Sequence, residues 1–129
     1  MITVKQPVPD VNEADVLRVL HRDYPEATRE AAVEQLARLG GSLSKLGLER
    51  ISLAALKIAA GNLKQLTLSV DLALLDYRDC LMGAEYPHVA NKMYAMDHLS
   101  RDEQKALVDA DWGEYKQWLG RDDLAPIHR

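Results

Sequence analysis

The sequence predicts an all-α protein, a five- or six-helix bundle built on a central antiparallel hairpin of residues about 48–60 and 63–84. Three observations carry this. Apolar residues recur at three- and four-residue spacing, and no stretch alternates as a strand would. Phe is absent and aromatics make up only 5% of the chain, so the core falls to Leu, Ala, Val, Ile and Met. Capping and stop residues of the Asn, Ser, Gly and Pro kind punctuate the periodic segments.

The length of 129 residues suits one domain, spanning 1–129, able to bury a core without metal or disulfide. Pro7 and Pro9 make residues 1–11 an irregular lead-in. Asn12, with Asp15 three places on, opens a helix in which Val16, Val19 and Leu20 share a face, and Tyr24-Pro25 ends it. Pro25 suits the first position of a second helix, stopped by the paired glycines 40 and 41. That helix is mostly polar and should lie on the surface. "SLSKLG" (42–47) is a connector. "LERISLAALKIAAGN" is apolar on most sides, the pattern of a buried helix. Gly61 stops it, and Asn62 with Gln65 caps the next.

The helix expected over 63–84 carries two apolar arcs. Leu63, Leu66, Val70, Ala73, Leu74, Tyr77, Leu81 and Ala84 form the wide one, and Leu68, Leu72, Leu75 and Met82 the second. After Tyr86-Pro87 a shorter helix places Val89, Met93 and Met96 at core spacing. Ser100 and Glu103 form a capping box for a last helix that carries Val108, Trp112, Tyr115 and Leu119 down to Gly120. Trp112 reads as a core anchor and Trp118 as partly exposed. Residues 121–129 read as irregular.

Chemistry concentrates in "LLDYRDCLMGAEYPH", residues 74–88. Glu85 and His88 stand in Glu-x-x-His spacing, which holds metal when both lie on one helix face. Pro87 falls between them and starts a new element, so the shared face is lost. Cys80 has no partner at zinc-ligand spacing, and the surrounding acids oppose a lowered thiol pKa. His21, His98 and His128 read as surface histidines. The sequence thus predicts no catalytic, cofactor or metal residues.

The net charge of −4, with no basic cluster, disfavours nucleic acid as a partner. A single cysteine fits a reducing compartment. No apolar run reaches the roughly 18 residues of a membrane span, and the first ten residues lack signal-peptide order, so the expected address is cytoplasmic.

Residues 53–87 resemble a pattern in small bacterial helical proteins of unassigned function: a helix, a Gly-Asn turn, a second helix, then Asp76-Tyr77-Arg78-Asp79 and Ala84-Glu85-Tyr86-Pro87. The resemblance implies the hairpin and a bacterial source, and no activity.

The expected function is protein–protein interaction, by a regulator, an adaptor or a toxin-neutralising partner. The candidate interface is Leu68, Asp71, Leu72, Leu75, Arg78, Asp79 and Met82. Such an arc is buried either by the flanking helices or by a second copy of the chain. Its charged rim of Asp71 and Asp79 favours a homodimer seam, with the partner's surface elsewhere. Asp71 and Arg78, on the strip between the arcs, should find partners on another helix or another protein. The alternative is a small enzyme using Asp76, Asp79, Glu85 and His88.

Overall fold

The computed structural model describes residues 2–43 and 47–127, and the regular elements among them are helices. The chain divides into two compact units, residues 11–84 and residues 1–10 with 85–129.

The first unit opens with α1, Glu13–Asp23, where the predicted Asn12–Asp15 capping box is present in both directions. Helix α2, Glu26–Ala37, follows with Pro25 as its N-cap, one place earlier than predicted. It buries only Ala32 and Leu36, as a surface helix should. The glycine pair does not stop α2. Gly40 and Gly41 instead begin a one-turn helix, α3, Gly40–Leu43. The connector at 44–46 lies outside the described residues.

Helix α4, Leu48–Ala59, buries Ile51 through Leu56 without interruption, the continuous burial its all-round apolar pattern requires. Ala60 and Gly61 both turn left-handed, and Asn62 caps α5, Leu63–Leu75, by accepting from the Gln65 N–H at 2.9 Å. Gly61 is required twice over. Its φ is +82°, and a Cβ there would sit 3.0 Å from the Asp23 carbonyl oxygen. Helices α4 and α5 make the most extensive helix–helix contact, α1 packs on α4, and α2 packs on α5 and α1. The predicted hairpin is thus the centre of this unit.

Its second arm is not one helix. Asp76 is extended (φ −154°, ψ 95°), and α6 runs separately over Tyr77–Glu85. Asp76 serves both ends. Its N–H donates to the Leu72 carbonyl at 2.7 Å and closes α5. Its side chain accepts the Arg78 N–H at 3.1 Å and opens α6. Asp is among the best N-cap residues because a short acceptor competes for the free N–H groups of a first turn. The longest helix is instead α8, Arg101–Leu119.

The second unit begins at the end of α6. Tyr86 caps α7, Pro87–Asn91, with Pro87 in its first turn; a 3₁₀ segment, Met93–His98, leads to α8. Ser100 and Glu103 form the predicted capping box, and Gly120 ends α8 with φ +78°. The core stripe of α8 is Val108, Tyr115 and Leu119; Trp112 is only partly buried, so it is not the anchor expected. Trp118, partly buried too, lies against Tyr115, with ring centroids 5.6 Å apart.

The two chain ends, expected to be irregular, hold each other. Pro9 and Pro126 form an antiparallel bridge, with Asp10 N–H donating to Ala125 O and Ile127 N–H to Val8 O. Gln104, buried in α8, accepts from the Thr3 N–H at 2.9 Å and donates to the Met96 carbonyl at 3.1 Å. The Tyr86 hydroxyl donates to the Pro7 carbonyl. Side chains therefore tie down a segment that local propensity leaves undetermined.

Candidate functional site

The residues singled out between 74 and 88 do not form one constellation. Asp76 is spent as the cap of α6, and Asp79 is exposed. Cys80 is fully buried, with its sulfur 4.0 Å from the Ser69 carbonyl, a small apolar filler between α6 and α5. Glu85 is buried as the last residue of α6, whereas His88 belongs to α7 and its imidazole turns to α8. The break read from Pro87 separates them.

The partners of His88 are Asp111 and Glu114. Asp111 is a carboxylate with no exposed side-chain surface; it accepts the His88 N–H at 3.0 Å and the Val89 N–H at 3.1 Å. These are the unpaired donors of α7's first turn, so a residue on α8 caps α7. One turn along α8, Glu114 places Oε2 2.5 Å from His88 Nε2, and Asp111 Oδ1 lies 4.0 Å from the same nitrogen. The three side chains each offer a ligand atom, all within 4.8 Å of one another. Asp111 and Glu114 are absent from the sequence-based candidates. A signal was present, since Gln104, Val108, Asp111, Tyr115 and Leu119 share one helical stripe, and an acid within such a stripe must find buried partners.

The candidate interface divides. Leu68, Leu72 and Leu75 remain one stripe on α5 at i, i+4 and i+7, but the extended Asp76 puts Met82 on a different helix. Leu75 is 86% exposed and Leu68 51%; Leu72 and Met82 are partly covered. Helices α1 and α2 therefore leave Leu68 and Leu75 of this arc uncovered. Within residues 11–84, α1 packs on α4 and α2 on α5, whose buried apolar residues are Leu66, Val70 and Ala73. The two strip charges find intrachain partners: Asp71 pairs with Arg38, the C-cap of α2, at 2.5 Å, and the Arg78 guanidinium lies 5.7 Å from its neighbour's ring, Tyr77.

A second apolar feature was not anticipated. Residues of α1, α2 and α4 line a groove of about 360 Å³, among them Leu20, Leu36 and Leu48 and the exposed Glu13 and Glu49. Leu17 and Val33 line it while remaining 51% and 46% exposed. No helix of the described residues is long and apolar enough to cross a membrane. No protein-family model, curated protein or solved structure matches the chain.

Proposed function

We propose that the protein is an interaction module that receives an amphipathic, basic-flanked helical segment of another protein in the groove of α1, α2 and α4. The observation that carries this reading is the groove's composition: a mainly apolar lining that includes the exposed Glu13 and Glu49. Helix-in-groove recognition uses such surfaces, with apolar anchors at i, i+3, i+4 and i+7 entering the groove. Two exposed glutamates in the lining, on a chain of net charge −4, favour cationic flanks and quicken encounter. The stripe Leu68, Leu72 and Leu75 is a separate surface, suited to a second copy of the chain.

A fluorescent peptide with leucines at helical spacing and lysines elsewhere tests the groove, against a scrambled peptide of equal charge. The wild type should prefer the helical peptide, more weakly at high salt, and Leu17→Glu should weaken binding at least about tenfold while retaining its helical spectrum. Equal binding by the wild type and a folded Leu17→Glu, or no preference over the scrambled peptide, sinks the proposal.

A further inference from the structure

We infer that His88, Asp111 and Glu114 form a binding site for a divalent transition-metal ion, zinc being the best match. The site shares no residue with the groove, and the inference does not rest on the proposed function.

The donor set fits such an ion. One imidazole and two carboxylates supply three ligands, and a neutral imidazole with two anionic groups balances a charge of +2. Imidazole suits zinc and its first-row neighbours, whereas calcium and magnesium prefer oxygen alone.

Geometry supports the assignment. Ligand bonds of about 2.0–2.2 Å place neighbouring donors of a tetrahedral ion roughly 3.3–3.6 Å apart. The pairs at Nε2 of His88 bracket that value, at 2.5 Å to Glu114 and 4.0 Å to Asp111. One distance must open and the other close. The side chains that move are the half-exposed ones, His88 at 46% and Glu114 at 57%. Asp111 need not move, because its oxygens are already oriented by the two backbone N–H groups of α7. Each oxygen keeps a lone pair for the ion, and such outer contacts are what orient a ligating carboxylate. Exposure on one side leaves a fourth position for water, the arrangement of an open three-ligand site.

Binding is not required for folding. Asp111 caps α7 without an ion, so the metal-free chain keeps its helix start and the ion adds stability only by mass action.

The test titrates the metal-free full chain with Zn²⁺ by calorimetry and with Co²⁺ by visible absorption. The expected result is one Zn²⁺ per chain and a Co²⁺ band that is lost in His88→Ala. Glu114→Gln should weaken Zn²⁺ binding at least about tenfold. His21→Ala and His98→Ala, which change exposed histidines outside the cluster, should bind as the wild type does. Added Zn²⁺ should raise the melting temperature of the wild type and leave that of His88→Ala in place. Equal affinity of the wild type and His88→Ala, or no binding at micromolar metal, overturns the assignment. Because the variants alter exposed side chains and leave Asp111 in place, loss of binding would not be loss of fold.

Discussion

Asp111 on α8 accepts the backbone N–H of Val89 at 3.1 Å, and with the His88 N–H this makes one buried carboxylate the cap of a helix 22 residues away in sequence. The contact joins α7 to α8, which also pack against each other.

Asp111→Ala should therefore destabilise the fold by about 2–3 kcal/mol, the range for buried hydrogen bonds to a charged group. Asp111→Asn keeps one acceptor and should lose less. Denaturant unfolding measures both, and hydrogen exchange at His88 and Val89 should quicken first in the alanine variant. An unchanged midpoint for Asp111→Ala would show that the cap contributes nothing.

Tyr24 is 1% exposed, and its hydroxyl has no hydrogen-bond partner among the described residues. Burial, then the charge of Asp23, pushes the phenol above its ordinary range. Tyr24→Phe should leave stability unchanged or raise it by up to about 1 kcal/mol, because an apolar group of the same shape removes an unsatisfied dipole. The sign of the pH effect follows. An acid held neutral in the fold contributes stability that is present below the ordinary phenol range and lost as pH rises through the raised value. The phenylalanine variant should lose less stability on the alkaline side, as read from melting curves.

Glu103 accepts the Ser100 N–H at 2.9 Å, and that bond, followed by the one with the Ser100 side chain, lowers its carboxyl below the ordinary range. The helix start it supports is complete above the ordinary glutamate range and weakens as pH falls through the lowered value. A carboxyl titration by nuclear magnetic resonance should place Glu103 below free glutamate. In Glu103→Gln the first turn of α8 should lose its dependence on acid pH.

Leu66 and Leu75 lie on one helix with opposite fates, fully buried and 86% exposed. Leu66→Ala should cost about 2–5 kcal/mol, as core leucines do. Leu75→Ser should change the unfolding of a dilute monomer by less than about 0.5 kcal/mol. If a dimer forms along Leu68, Leu72 and Leu75, the serine variant lowers its light-scattering mass at high concentration. A monomeric wild type at all concentrations removes the seam.

The sequence by itself determined what depends on neighbours a few residues apart. The all-α class, the capping boxes at Asn12 and Ser100, the buried α4 and the Gly61 turn all follow from periodicity and local hydrogen bonding, which act within a helical turn or two. Asp76 was equally local, since it precedes Asp79 as Asn12 precedes Asp15, yet continuous apolar arcs masked the break. Tertiary structure alone decided what depends on which elements meet. Nothing near Asp111 in sequence predicts that α7 offers it two N–H groups, or that His88 will face Glu114 instead of Glu85. The bridge between Pro9 and Pro126 lies further still from any local rule, because each end supplies the partner that the other lacks. The exposure of Leu75 was decided the same way: α2 and α4 cover one side of α5, and an amphipathic pattern with two apolar arcs does not say which arc is covered.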